Sequence, residues 1–306
     1  MIDDFIDIVG VQFPVSRIVL GGAFGERSDA DSFCILDRFM ELGGNAIETA
    51  HAYANGAAEE QIGRWLSDRA CRDRVMLITK VCHPSAGELA SIADFDDELS
   101  ISLERLGVDK VDIVLLHRDP RTIPASRVLE AIEHCRARGS FAAYGISNIH
   151  GDRLAEFDCA EALNVPPLAV ISNYFGLAQQ ASPPWPGTVQ LDESGQQWLR
   201  KHKSALLCWS ALAQGWFAHR HLPAEYEAVY DTPSNRARRQ RADTLASKRG
   251  ASGLQVALAY AFAAPFALLA SVGPRSTNEL DEVIAALSLR LNKMECAFLQ
   301  ESNDAA

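Results

Sequence analysis

Residues 43–66 read GGNAIETAHAYANGAAEEQIGRWL. The stretch opens on a glycine pair. It then runs through Ala46, Ile47, Glu48 and Thr49, a short apolar-rich segment of the kind that forms a buried strand. It closes on Ile62, Trp65 and Leu66, which share one stripe of a helix over Glu60–Leu66. Between strand and helix lies a loop that carries Tyr53. Gly43 stands where the preceding helix needs a left-handed residue after its last turn.

The same strand–helix unit recurs along the chain. Further strands are predicted at Arg17–Leu20, Val75–Val81, Val111–His117, Ala142–Ser147, Leu168–Asn173, Ala205–Ser210 and Leu268–Val272. Helical stripes appear in Asp31–Leu42 (Phe33, Leu36, Phe39, Met40), Leu99–Leu106 (Leu99, Leu103, Leu106) and Val128–Cys135 (Val128, Leu129, Ile132, Cys135). Gly107 and Gly139 follow two of these helices as Gly43 follows the first. Eight strands alternating with helices predict an α/β protein, either a doubly wound sheet or a (β/α)8 TIM barrel. A dinucleotide-binding doubly wound fold shows G-x-G-x-x-G after its first strand. Here that strand is followed by Gly21-Gly22-Ala23-Phe24-Gly25, which lacks the spacing. Eight is also the closure number of the barrel. The expectation is therefore a single barrel domain over residues 1–306, with its chemistry at the C-terminal strand ends and in the mouth loops.

Composition narrows the function classes. Of 306 residues, 48% are hydrophobic and 23% charged, which excludes disordered and collagen-like chains. Lys plus Arg is 29 against 40 Asp plus Glu, a net charge of −11, which argues against nucleic acid or an anionic membrane as main partner. Seven scattered cysteines without a C-x-x-C read as reduced thiols of a cytoplasmic protein. MIDDFIDIVG lacks the basic n-region of a signal peptide. Val256–Val272, the longest apolar-rich segment, is broken by Pro265 and reads as a buried helix followed by a strand. Two long interruptions, Ala178–Gly195 and Ala218–Ser234, follow the sixth and seventh strands. They are either surface excursions or loops covering a substrate, with Trp185 in the first.

Chemistry-bearing residues gather at consecutive strand ends. Glu48 and Tyr53 belong to the second strand end, Lys80 to the third, His117-Arg118-Asp119 to the fourth, and Ser147-Asn148 to the fifth. A bland reading is a structural Glu48–Lys80 ion pair beneath a rim tyrosine. The sharper reading is a proton-transfer device. A phenol of pKa ~10 is a poor acid at neutral pH, and a neighbouring ammonium eases its proton loss. Glu48 would hold Lys80 in place and charged, and His117 would orient a carbonyl or help pass the proton. None of these groups supplies a reducing equivalent. If the chemistry is carbonyl reduction, a nicotinamide cofactor must provide the hydride.

The quoted stretch resembles the aldo-keto reductase signature G-G-N-x-x-D-T-A-x-x-Y-G-x-G-x-x-E-x-x-I-G. The resemblance continues, in family order, through ITK, LLHRD, GISN, WSALAQGWF and SVGPRSTNELDEVIAAL. The chain looks most like the bacterial branch with His-Arg-Asp after strand four. The resemblance implies a (β/α)8 barrel closed below by a short hairpin, which Met1–Phe13 could supply, and NAD(P)H-dependent reduction of a small aldehyde or ketone, or the reverse alcohol oxidation. It further implies Tyr53 as general acid, Lys80 as the group lowering its pKa, His117 as carbonyl-orienting residue, and Glu48 in the place of the family's Asp. Ser147 and Asn148 match the pair that binds the nicotinamide carboxamide. Trp209 stands for the aromatic that stacks on the ring. Ser210, Leu212, Ala213 and Gly215 match the pyrophosphate loop, Gly22 and Ala23 the nicotinamide-ribose loop, and Gly273, Pro274 and Arg275 the adenosine-phosphate segment.

Departures from the pattern leave questions open. Glu48 moves its carboxylate by about 1.5 Å relative to an Asp. Ser172 occupies the slot of a carboxamide-binding Gln. Glu282 keeps the adenine-contacting acid but is followed by Val283, not Asn. Glu279 stands where an Arg often meets the 2′-phosphate, leaving Arg275 for that group. NADPH is favoured, with NADH as the alternative. The basic run Asn235–Arg241 reads as a solvated helix face, or as carrying one arginine near the cofactor phosphate. Arg118 and Asp119 either bind a charged or polyhydroxylated substrate or form structural salt bridges.

Two other readings use the same residues. One is a Schiff-base aldolase with Lys80 as nucleophile, which Glu48 opposes by raising the lysine pKa. The other is a non-catalytic, cofactor-binding regulatory barrel. No H-E-x-x-H occurs, and His219-Arg220-His221 reads as a surface pair, so no metal is expected. No oligomeric state is read.

Overall fold

The computed structural model describes residues 1–22, 24–85, 88 and 90–301. A short antiparallel pair, β1 (Phe5–Ile6) and β2 (Val15–Ser16), comes first. The alternating series follows: β3 (Ile18–Leu20), α1 (Asp29–Glu41), β4 (Ala46–Glu48), α2 (Ala57–Arg69), β5 (Met76–Val81), α3 (Phe95–Leu106), β6 (Val111–Leu116), α4 (Ala125–Arg136), β7 (Phe141–Ser147), α5 (Gly151–Leu154) and β8 (Val170–Ser172). It ends with α6 (Glu193–Lys201), β9 (Ala205–Cys208), α7 (Ala224–Tyr230), α8 (Pro233–Arg249), α9 (Gly253–Phe262), β10 (Leu268–Val272), α10 (Thr277–Ala285) and α11 (Lys293–Gln300). Strands β3 to β10 are parallel and close into an eight-stranded barrel in sequence order, β10 pairing back onto β3. This is the (β/α)8 architecture expected from the strand count.

Local chemistry explains where elements begin and end. Ser28, Asp192, Thr232, Ser252, Ser276 and Asn292 cap α1, α6, α8, α9, α10 and α11 through side-chain oxygens that accept backbone N–H bonds. Gly43, Gly107 and Gly139 have φ of 91°, 64° and 85°, the left-handed conformation predicted for them. β9 stops at Cys208, two residues short of the predicted Ser210, because Ser210 itself turns left-handed at φ 51°. The interruption Ala218–Ser234 is not all loop. It contains α7, which follows Pro223 and buries Val229 and Tyr230.

Two apolar cores result from the strand alternation. One lies between the barrel and the helices, around Ile18, Leu20, Ile47, Leu77, Val114 and Ile171. The other fills the barrel interior with Val19, Ala46, Met76, Ile78, Ile113, Leu115, Leu207 and Leu269. Ile8, Val9, Val11 and Phe13 from the β1–β2 turn pack against this inner cluster, so the N-terminal hairpin plugs the bottom of the barrel. No helix among the described residues is long and apolar enough to cross a membrane.

Candidate active site

Side chains in a strand alternate between its two faces. Ala46, Ile78, Leu115, Leu207 and Leu269 point into the barrel interior. Two residues further along the same strands come Glu48, Lys80, His117, Trp209 and Ser271. The same step leads from Val19 to Gly21, from Ala143 through Gly145 to Ser147, and from Val170 to Ser172. Thus the apolar interior gives way, one layer higher, to a polar floor at the C-terminal strand ends. Above that floor opens a cavity of about 1230 Å³ lined by Glu48, Tyr53, Lys80, His117, Trp209 and Ser271, among others.

The structure brings the four candidate catalytic residues together. Lys80 Nζ contacts Glu48 Oε1 directly, donates to the Tyr53 hydroxyl at 2.9 Å, and donates to the Thr49 carbonyl at 3.1 Å. The Tyr53 hydroxyl lies 3.5 Å from Glu48 Oε1. The Tyr53 and His117 rings meet edge to face with centroids 5.5 Å apart. Tyr53 follows β4 on a tight loop in which Ala54, Asn55 and Gly56 all have positive φ. Arg105 Nη1 holds that loop from below, donating to the His51 carbonyl at 3.0 Å and to the fully buried Glu59 carboxylate at 3.3 Å.

The room for Glu48 in place of a shorter acid is visible. Ser271 Oγ donates to Glu48 Oε2 at 2.8 Å. Gly21 faces the same oxygen: a Cβ there would stand 2.7 Å from Glu48 Oε2 and 2.7 Å from Ser271 Oγ. Neither Gly21 nor Ser271 was singled out from the sequence. The period-2 register of the first and last barrel strands was the signal that could have found both.

Burial sets the electrostatics. It pushes the Tyr53 phenol up to about 12, while the Arg118 charge pulls the other way. Lys80 is expected to lower this phenol, but the shift is upward, because burial outweighs the opposing Arg118 charge, and the group stays protonated across the neutral range. Burial, with Arg118, drives the proton affinity of Lys80 down. The touching Glu48 carboxylate opposes this. His117 is lowered well below its ordinary value by burial, then by Lys80, His83 and Arg118, so its imidazole is neutral.

Most candidate cofactor residues reach the cavity wall: Gly22, Ser147, Asn148, Trp209, Ser210, Leu212, Gly215, Gly273, Arg275 and Glu282. Ser172 and Ala213 are buried behind it. Ala23 lies outside the described residues. Asn148 Nδ2 donates to Ser147 Oγ at 2.9 Å and to the His117 carbonyl at 3.3 Å, and its Oδ1 accepts from Val189 N at 3.1 Å. The pair therefore also ties the ends of β6 and β7 to the loop that carries Val189, with acceptor capacity left on both oxygens. Arg275 is not free, since Glu279 binds it at 3.1 Å and binds Arg220 at 2.8 Å. The pairing makes Arg220 a wall residue of this end of the cavity, together with His221, whereas His219 is an exposed partner of Asp243. The run Asn235–Arg241 lies away from the wall. It is not all solvated face, because Asn235 and Arg238 are buried and Arg239 stacks 3.9 Å over the Trp216 ring.

Both long interruptions reach the mouth. Trp185 from the first lies 5.9 Å from Trp209 and 5.7 Å from Tyr226 of α7, forming an aromatic wall. Several polar atoms at or under the floor are buried without a partner among the described residues, including His117 Nδ1, Ser172 Oγ and Trp209 Nε1. A cavity of this size with an aromatic face, unused polar atoms and arginines in its wall fits a nicotinamide dinucleotide.

The sequence model of the aldo/keto reductase family matches residues 17–304. Among similar proteins is norsolorinic acid reductase A of Aspergillus parasiticus, 25% identical over 93% of this chain and 74% of that one. Another is aldo-keto reductase yakc [NADP(+)] of Schizosaccharomyces pombe, 23% identical over 94% of this chain and 86% of that one. Among solved structures, an aldo/keto reductase from Klebsiella pneumoniae in complex with NADP and acetate superposes with a TM-score of 0.72 at 26% identity, covering 95% of this chain and 92% of that one. A second from the same organism, in complex with NADPH, gives 0.73 at 25% identity, over 98% and 94%.

Proposed function

The chain belongs to the aldo/keto reductase family, and from that membership we propose that it is a reductase of small aldehydes or ketones, using NADPH and able to run the alcohol oxidation in reverse. A single barrel domain carries the reaction, and a cytoplasmic setting accords with seven unpaired cysteines. The observation that carries the reading is Tyr53, protonated, at the cavity floor and bonded to Lys80 at 2.9 Å.

When bound, the reduced nicotinamide supplies a hydride to the carbonyl carbon. Trp209 would offer the face for its ring. Ser147 and Asn148 would accept from its carboxamide, with the buried Ser172 hydroxyl behind them. Ser210, Leu212, Gly215 and Gly22 would hold its phosphates and ribose, and Gly273, Arg275 and Glu282 its adenosine end. Neutral His117 orients the carbonyl oxygen toward Tyr53. The Tyr53 hydroxyl gives its proton to that oxygen as negative charge builds there. The Lys80 ammonium, 2.9 Å away, then stabilises the phenolate left behind. Glu48 fixes Lys80, and Ser271 fixes Glu48. The phenolate regains a proton from solvent.

The aldolase reading gains one observation and loses on another. Burial lowers Lys80 as a Schiff-base lysine requires. Yet Glu48, Tyr53 and the Thr49 carbonyl take all three ammonium hydrogens. The test is cofactor oxidation followed by absorbance over a panel of aldehydes. Tyr53→Phe is expected to lower turnover by at least about 10²-fold while cofactor fluorescence titrates as in the parent. Parental turnover in that variant would refute the acid assignment, and cofactor binding without turnover of any aldehyde by the parent would favour the regulatory barrel.

A further inference from the structure

We propose that Arg118 anchors an anionic subsite beside the reacting carbon, so that the substrate is a carbonyl compound carrying a carboxylate. The inference rests on the reductase reading and names its substrate class.

Arg118 directly follows His117 at the end of β6 and lies on the cavity wall, only 9% exposed. Its Nη1 donates to the His117 carbonyl at 2.8 Å and its Nε to the Pro186 carbonyl at 3.4 Å. These two bonds fix the plane of the guanidinium but leave Nη2, and the second hydrogen of Nη1, without a partner among the described residues. No carboxylate among those residues forms an ion pair with it. The acid that sequence proximity offers, Asp119, is committed elsewhere: it pairs at 3.5 Å with Arg153, both side chains almost fully buried. Of the sequence alternatives, structural salt bridging therefore falls to Asp119, and Arg118 is left with a buried, uncompensated charge.

A buried guanidinium without a counter-anion is costly. A planar fork with two free N–H directions matches a carboxylate in bidentate fashion. The location fits the reacting carbonyl. Arg118 is the charge that acts on Tyr53, and it also acts on Lys80, His117 and His83. In the reductase reading the cofactor phosphates fall to other arginines, Arg220 and Arg275, which line the cavity on the β9–α10 side. The wall beside Arg118 includes Pro186 and Gly187, and Gly187 leaves the guanidinium uncovered: a Cβ there would sit 3.4 Å from Arg118 Nε. Trp185 supplies an apolar surface for the carbon skeleton between the two polar ends.

The test compares kcat/KM for matched pairs: succinic semialdehyde against butanal, and 4-carboxybenzaldehyde against its methyl ester, with NADPH. The parent is expected to favour the acid member of each pair by about tenfold to a hundredfold, the range of a charge-assisted hydrogen bond. Arg118→Met is expected to bring that ratio to one or below. Arg118→Lys, which keeps charge but not the fork, is expected to fall between the two. The ratio, not the absolute rate, is the readout, and cofactor fluorescence titration establishes that each variant is folded. A parental ratio near one, or a ratio unchanged in Arg118→Met, overturns the proposal. If Arg118→Met does not bind cofactor, Arg118→Gln takes its place with the same expected loss. Cofactor binding without reduction of either member of either pair overturns the reductase reading itself, a different and separately recognisable result.

Discussion

At Tyr53 and its neighbours, burial rather than charge sets the proton affinities, and this fixes a pH profile. The phenol, raised to about 12, keeps its proton throughout the working range. Carbonyl reduction, which needs the protonated form, is expected to show no alkaline limb from Tyr53 below about pH 10. Alcohol oxidation needs the phenolate and is expected to rise with pH over the same range. His117, lowered well below its ordinary value by burial and the charges beside it, contributes no acid limb in the neutral range. Initial rates in both directions from pH 6 to 10 check this, and an alkaline loss of reduction near pH 8 would show a depressed phenol. Glu48 gives a second expectation. Its carboxylate spans from Lys80 to Ser271. Glu48→Asp withdraws it by about one bond length, so turnover is expected to fall about tenfold or more, ~1.4 kcal/mol of barrier. Parental turnover in that variant would mean the longer side chain is merely tolerated.

Among the elements, loops that carry the site are held in uncommon backbone conformations by rigid neighbours. Ala54, Asn55, Cys82, Asn148, Ser210, Ala213 and Gln214 all have positive φ, and all follow barrel strands at the mouth. The helices behind them must pack closely to hold this strain. Gly63 of α2 lies tight against the C-terminal end of α3, where a Cβ would meet the Arg105 carbonyl oxygen at 2.4 Å and the Leu106 carbonyl carbon at 2.8 Å. Gly63→Ala is expected to destabilise the fold by about 1–3 kcal/mol, seen as a fall of several degrees in the thermal midpoint. An unchanged midpoint would show that α2 and α3 can separate freely. The strands and most helices were legible from apolar runs and stripes, because periodicity records which face is buried. The positive φ of Ala54, Ser210 and Gln214 was not legible, because no glycine marks those positions and tertiary contacts impose the conformation.

Over the whole molecule, a net charge of −11 sets the problem of binding a dinucleotide polyanion. The cavity wall offers Arg220 and Arg275 where we propose the adenosine end to bind, but both are shared with Glu279. Glu279→Gln keeps a hydrogen-bond acceptor for the Arg275 backbone and removes the competing charge. It is expected to tighten NADPH binding about five- to tenfold relative to NADH, the scale of one unit charge several ångströms away in partly solvated surroundings. Fluorescence titration with both cofactors measures this, and equal effects on the two would place the arginines away from the 2′-phosphate.

The sequence by itself determined the barrel and the identity of the central four groups. Eight buried strands alternating with helices, with no G-x-G-x-x-G after the first, point to the closed barrel over the open sheet, and each strand's last inward position is fixed by a period of two. Glu48, Lys80 and His117 were therefore bound to meet, with Tyr53 on the loop above. What only the tertiary structure decided were pairings between residues far apart in the chain. Ser271 supports Glu48 across the closure of β10 onto β3, Arg220 joins Arg275 on one carboxylate, and Arg153 takes Asp119 away from Arg118. Each depends on which partner wins a competition for a charge. That outcome is set by distance and burial in the folded chain, which a linear pattern of residue types does not encode.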